Sequence, residues 1–224
     1  MTLNISKGNM YDWVTKTWNP IRGECSHKCS YCYVKSSRVK KLYTGKPHMV
    51  ESAFKSLGKG HFYFVGSMID LFADNIPAHQ ILATLNHCKE FKNKYLFQTK
   101  NPLRFYDFEG CFPEISYLGT TIETNRIYPQ MGNTPKPISR AMVLHHHSYY
   151  FPTMVTIEAI MDFDIQELVS LICLCNPEWV NIGADSQSHN LPEPSSDKIQ
   201  SLIDNLRDAD IEVKIKSNLK RLMT

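Results

Sequence analysis

The sequence of 224 residues predicts an α/β fold, an incomplete (β/α) barrel of six or seven mostly parallel strands. Three observations predict it. Short β-rich runs alternate with helical patterns, four of the runs alternate polar with apolar side chains, and the polar members gather toward the C-terminal ends of the runs.

Residues 13–18, 61–66, 95–99, 117–122, 153–158, 179–183 and 211–216 are rich in Val, Ile, Phe, Tyr, Trp and Thr and read as strands. After the second run a helix begins near Asn75, with Pro77 in its first turn, and runs toward Phe91. Ile165, Leu168, Val169 and Ile172 form a helical stripe, and Ile199, Leu202, Ile203 and Leu206 form another. Strand, helix and strand in alternation call for a parallel sheet with crossover helices. The last or first of the seven runs can be an appendage to a six-stranded core.

Barrel and open sheet are separated by what the strands carry on alternate positions. Glu212, Lys214 and Lys216 oppose Ile211, Val213 and Ile215. Thr121 and Glu123 alternate with Thr120, Ile122 and Thr124; Thr156 and Glu158 with Val155, Ile157 and Ala159; Asn181, Gly183 and Asp185 with Val180, Ile182 and Ala184. A sheet covered by helices on both faces would read as apolar throughout. A polar interior at the C-terminal rim is what a barrel with a polar ligand at its mouth requires. The competing reading is an open sheet whose polar face meets solvent. Charges placed inside must pair or bind substrate, so Glu158 and Lys216 are the candidate catalytic pair, with a structural salt bridge as the alternative.

Composition narrows the function classes. Lys plus Arg number 25 against 22 Asp plus Glu, a net charge of +3, which excludes an acidic disordered tail and a strongly cationic nucleic-acid clamp. Hydrophobic residues make up 42% of the chain, enough for the core of one domain spanning 1–224. No apolar run approaches the ~18 residues of a membrane helix, and the opening residues 1–7 lack a signal-peptide block. The expectation is a soluble, cytoplasmic protein with no membrane partner.

Seven cysteines, an odd number without an export signal, point to reduced thiols. Cys88, Cys111, Cys173 and Cys175 are scattered among apolar neighbours and read as small buried hydrophobes. Cys25, Cys29 and Cys32 instead form CxxxCxxC in a polar loop, residues 19–33, after the first strand. Three thiolates this close can converge on one soft metal centre. Zinc wants a fourth Cys or His, and no second pair follows, although His27 lies inside the loop. A four-iron cluster held by three cysteines leaves one iron open for chemistry. Spacing alone leaves both readings standing.

With Tyr31 before the last cysteine, the motif resembles that of the radical S-adenosylmethionine superfamily. The sequence is similar in particular to a small phage-associated three-cysteine family. The segments that carry the likeness are TWNPIRG at 17–23, FVGSMIDLF at 64–72, QTK at 98–100, GTTIE at 119–123, TIE at 156–158 and NIGAD at 181–185. The resemblance implies a [4Fe-4S] cluster on Cys25, Cys29 and Cys32 and S-adenosylmethionine chelated to the open iron, with reductive cleavage to a 5′-deoxyadenosyl radical. It implies that Tyr31 contacts adenine, that Gly66 and Ser67 form the turn receiving the methionyl amino group, and that Glu123 lies near ribose. Thr121 and Asp185 complete the expected cofactor-binding set. The superfamily's common Gly-Gly-Glu turn reads Gly66-Ser67-Met68 here, which leaves Asp70 as the first acid for the amino group. An electron donor such as flavodoxin or ferredoxin is the implied partner.

Two further features bear on function. Arg38, Lys40, Lys41, Tyr43 and Lys46 make a basic, aromatic stretch that fits phosphate, and with it a nucleic acid or nucleotide substrate, or else a solvated face. His145, His146 and His147 point in different directions on a helix and read as a polar helix end rather than a metal site. The alternative to an enzyme is a non-catalytic zinc or iron–sulfur module that recruits a partner.

Overall fold

In the computed structural model, which describes residues 3–5 and 9–224, the β-rich runs become the strands of one twisted sheet. Of the opening residues weighed for a signal peptide, 1–2 and 6–7 lie outside the described residues. Strand β1 (Leu3–Ile5) pairs antiparallel with β2 (Lys16–Trp18). A two-stranded hairpin, β3 (Ile21–Arg22) with β4 (His48–Met49), brackets the cysteine loop. Then follow β5 (Phe62–Val65), β6 (Lys94–Thr99), β7 (Ser116–Thr121), β8 (Thr153–Ile157), β9 (Trp179–Ile182) and β10 (Glu212–Ile215).

The eight-stranded sheet runs β1-β2-β5-β6-β7-β8-β9-β10, and every pairing after the first is parallel. Among the described residues β1 and β10 do not pair, so the barrel stays incomplete. All seven expected runs contribute parallel strands, and β1 adds an antiparallel edge that the sequence reading did not include.

Helices α1 (Ala78–Lys89), α2 (Pro137–His147), α3 (Ile165–Leu174) and α4 (Ser196–Asp208) cover the outer face, with a 3-10 segment, Pro102–Cys111, between β6 and β7. Pro77 sits at the N-cap of α1, where its fixed φ suits helix entry. The Ser195 hydroxyl caps α4 by accepting from the Lys198 N–H at 3.4 Å. The expected stripe of Ile199, Leu202, Ile203 and Leu206 is fully buried. The histidines end α2 as expected, with His147 packed against Phe105 and Tyr106.

Strand alternation then divides the molecule into two interiors. Tyr63, Val65, Phe97, Leu118, Val155, Ile157, Val180 and Ile182 face the helices in the main core. The opposite parity carries Phe62, Phe64, Leu96, Tyr117, Met154 and Trp179, which pack around Tyr11, Trp13 and Val14 at the N-terminal ends of the strands. Residues 11–14 therefore plug the base of the barrel. The expected first strand, 13–18, shortens to Lys16–Trp18 for this reason. Trp13 stacks on Tyr11 at 5.1 Å and meets Trp179 edge-on at 5.0 Å, so its half-buried ring packs against other aromatics.

Cys88 and Cys175 are buried as expected for small hydrophobes, and Cys111 is half-buried. Cys173 is a correction: it is exposed, because it lies two residues from Cys175 and so points away from the face that α3 buries. Among the described residues no helix is long and apolar enough to cross a membrane.

Candidate active site

Above the plug, the inward parity turns polar and opens into a cavity of about 850 Å³ at the C-terminal ends of the strands. The Tyr11 hydroxyl marks the boundary, bonding to the hydroxyl of Thr156 at 2.6 Å and to the Gln98 side-chain oxygen at 2.8 Å. Gln98, Thr121, Thr156, Glu158, Asp185 and Lys216 all line the cavity, together with Cys25, Cys29 and Cys32 from the loop. Strand parity and the cysteine motif thus lead to one place. Of the inward-parity charges Glu123, Glu158, Asp185 and Lys216, the last three line the cavity, whereas Glu123 lies one layer behind, fully buried.

Glu158 and Lys216 pair with each other at 2.5 Å. The second Glu158 oxygen accepts from the side-chain amides of Asn9 at 2.9 Å and Asn218 at 3.0 Å, and the Lys216 ammonium also stands 4.6 Å from the centre of the Tyr11 ring. Room for this carboxylate depends on Gly183, where a Cβ would meet Glu158 Oε1 at 2.8 Å and Asn218 Oδ1 at 3.0 Å. Gly183→Ala is expected to destabilise the protein by about 1–3 kcal/mol through this overpacking. A urea titration reads the effect, and an unchanged midpoint would show that the carboxylate can shift at no cost. Asp185 accepts from the Gln187 backbone N–H at 3.1 Å and from the His189 ring at 2.6 Å. Burial pushes its carboxyl up, but the hydrogen bonds from His189 and Gln187 outweigh that and hold it below the ordinary range.

The cysteine loop is fixed from two sides. On one side, His27 donates a ring N–H to Asp70 Oδ2 at 2.8 Å. All four acceptor positions of Asp70 are then occupied, by His27 and the Lys100 N–H (2.7 Å) on one oxygen and by the Thr99 hydroxyl (2.6 Å) and Phe72 N–H (3.0 Å) on the other. Burial raises the Asp70 carboxyl, and His27, Thr99 and Lys100 together bring it below the ordinary value. Gly66 and Ser67 form the turn beside it after β5, with the Ser67 hydroxyl bonded to Asn19 and the Met68 N–H donating to Asn19 Oδ1 at 2.8 Å. On the other side, residues 129–133 lie against the loop backbone. The Ser30 N–H donates to Gln130 O at 2.9 Å, the Asn133 N–H to His27 O at 2.7 Å, and the Cys29 thiol to Met131 O at 3.3 Å.

The Cys25 and Cys29 thiols are not poised as nucleophiles. Burial, then the Asp70 charge, pushes Cys25 up to about 12, and burial also raises Cys29. A cation at the loop reverses this by displacing the protons, as thiolate ligation requires. Among the described residues no three His, Cys, Asp or Glu side chains converge as a single metal ion demands. Three cysteine thiols carried on one loop are nonetheless the donor chemistry that an iron–sulfur cluster takes.

Behind Tyr31 lies a buried ion network. Glu123 accepts from Arg140 at 2.8 Å and also from the Tyr31 hydroxyl and the Lys100 ammonium. Arg140, itself fully buried, donates to Thr121 O at 2.6 Å, Pro135 O at 2.7 Å and the Thr134 hydroxyl at 3.0 Å. Lys100 reaches from this network to the cavity wall, 4.8 Å from the centre of the Tyr31 ring.

The sequence matches, over residues 9–213, a family described as "Protein of unknown function (DUF5131)". The chain belongs to the DUF5131 family. No curated protein matches it. Among solved structures, a spore photoproduct lyase variant superposes with a TM-score of 0.66 at 8% identity, over 94% of this chain and 78% of that one. A lyase variant with bound AdoMet and dinucleoside spore photoproduct gives 0.56 at 8% identity, over 91% of this chain and 64% of that one. Streptococcus suis SuiB bound to S-adenosylmethionine gives 0.54 at 11% identity, over 89% and 46%. The DUF5131 chain thus spans less than two thirds of the length of the last two. The incomplete (β/α) barrel is a fold this chain shares with spore photoproduct lyase.

Several site residues of this DUF5131 chain escape a reading by motif. Lys100 continues the inward parity of Leu96 and Gln98, the signal that also finds Glu158 and Lys216. Arg140 betrays itself by standing on the buried stripe of α2 beside Ala141 and Leu144. The His27–Asp70 contact joins residues 43 apart and leaves no local pattern.

Proposed function

We propose that this protein is a radical S-adenosylmethionine enzyme. The observation that carries the reading is the gathering of Cys25, Cys29 and Cys32 on the wall of the cavity at the C-terminal rim of the barrel. Those three residues would hold a [4Fe-4S] cluster, which when bound supplies the electron for reductive cleavage of the S-adenosylmethionine sulfonium.

The remaining roles belong to the chain's own side chains. Asp70, its acceptors all engaged, holds His27 and through it the cysteine loop. Glu123 and Arg140 orient Tyr31 and Lys100, which present an aromatic face and a cation to the cofactor. Gly66, Ser67 and Thr121 offer backbone and hydroxyl groups on the cavity wall, and Asp185 offers a carboxylate. Glu158 and Lys216, paired with each other, act on the substrate side. Together these groups bind and orient, and Glu158 with Lys216 can hold or release a proton between Oε2 and Nζ.

The test is cleavage. Anaerobically reconstituted protein reduced with dithionite is expected to convert S-adenosylmethionine to 5′-deoxyadenosine and methionine, resolved by liquid chromatography. Cluster-loaded, reduced protein that neither binds nor cleaves it would favour the non-catalytic module.

A further inference from the structure

The rim of the cavity carries a charge asymmetry that the proposed chemistry does not use. Residues 25–50 contain six Lys and Arg and not one Asp or Glu, so the rest of the chain holds 19 basic against 22 acidic residues. The acid-free segment is fixed in place. The Gly23 N–H donates to Leu42 O at 3.3 Å and the Glu24 N–H to Gly45 O at 2.9 Å, while Val34 and Tyr43 are buried in the main core. Arg38, Lys40, Lys41 and Lys46 stand exposed on it, with no carboxylate partner among the described residues. Lys40, Lys41 and Thr44 line the same cavity as the three cysteines.

We infer that this segment is a docking surface for the phosphodiester backbone of a single-stranded nucleic acid, one nucleotide of which enters the cavity. A small anion would be held by cations converging on one point and largely desolvated. Here four exposed cations are spread over nine residues, which suits a ligand whose charge repeats along its length. A cavity recessed behind the rim admits a nucleotide only when it is unstacked or already single-stranded. The inference rests on the proposed reaction for the cavity being the place of chemistry, and on charge and geometry for the surface itself.

The probe is a fluorescently labelled 20-nucleotide single-stranded DNA, with binding to the cluster-loaded protein read by anisotropy. Four backbone contacts predict a loss in affinity of about 50-fold between 50 and 200 mM KCl. Lys40→Ala with Lys41→Ala should lower the slope of log affinity against log salt by about 1.4. The pair Lys89→Ala with Lys92→Ala, on α1 and just beyond it, removes the same charge and should leave the slope unchanged. Salt-independent binding, an equal loss in both pairs, or equal affinity for poly-glutamate of matched charge would each overturn the surface. S-adenosylmethionine cleavage is assayed separately on the same preparations. Cleavage without oligonucleotide binding removes this inference and leaves the proposed reaction, whereas binding without cleavage removes the reaction and leaves the surface.

Discussion

Replacing any one of Cys25, Cys29 and Cys32 with alanine is expected to take the anaerobically reconstituted protein from about four irons per chain to below about one, while Cys88→Ala and Cys111→Ala leave the iron content intact. Gly132→Ala is expected to come close to the same loss without touching a ligand. Gly132 has a φ of +65°, and a Cβ built there would stand 2.1 Å from the His27 carbonyl oxygen and 2.9 Å from the Lys28 carbonyl carbon. Those atoms are backbone and cannot rotate away. The 129–133 segment must instead lift off, and with it go the bonds that Ser30, Asn133 and Cys29 make across the contact. Backbone strain of about 1–3 kcal/mol adds to the clash. The main core does not include this segment, so far-UV circular dichroism should stay unchanged while the iron is lost. Full iron in Gly132→Ala would mean that the loop holds its cluster unaided, and iron loss in Cys88→Ala would mean that the ligands are misassigned.

Periodicity shows where the fold was readable from sequence. Stripes such as Ile199, Leu202, Ile203 and Leu206 specify a face, and α4 buries that face. Inward parity on the strands placed Thr121, Glu158, Asp185 and Lys216 at one cavity because a period of two survives any twist of the sheet. The pattern misleads at its ends. Trp13 is as good a strand former as Trp18, but a plug residue that stacks on Tyr11 and Trp179 has the same composition as a strand residue. Glu123 has inward parity too, yet it lies behind the cavity wall, where it pairs with the fully buried Arg140 and with Lys100. Its partner Arg140 comes from a helix 17 residues on, so the pair appears only once α2 has packed on β7. Gly132 carries no motif at all, since what it permits is an approach by a loop more than a hundred residues earlier.

Glu123→Ala is expected to destabilise the protein by about 3–5 kcal/mol at pH 7, because it leaves the Arg140 guanidinium buried without its carboxylate. Burial pushes the Glu123 carboxyl up, but the charges of Arg140 and Lys100 and their hydrogen bonds outweigh it and bring the group from the ordinary 4.5 to about 2. A native value below the unfolded one means that the stabilisation is complete above about pH 4.5 and is lost as the pH falls toward about 2. That shift corresponds to about 3 kcal/mol, in line with the loss expected on truncation. Glu123→Gln should therefore flatten the acid limb of the stability curve between those two pH values. Replacing both partners, Glu123→Leu with Arg140→Met, should cost much less than the two single changes together, since apolar groups of similar volume leave no charge unpaired. Urea titrations of the four proteins at pH 7 close the cycle. A loss below about 1 kcal/mol for Glu123→Ala, or strict additivity in the double variant, would show that Arg140 finds other acceptors and that the network does not hold Tyr31 and Lys100 in place.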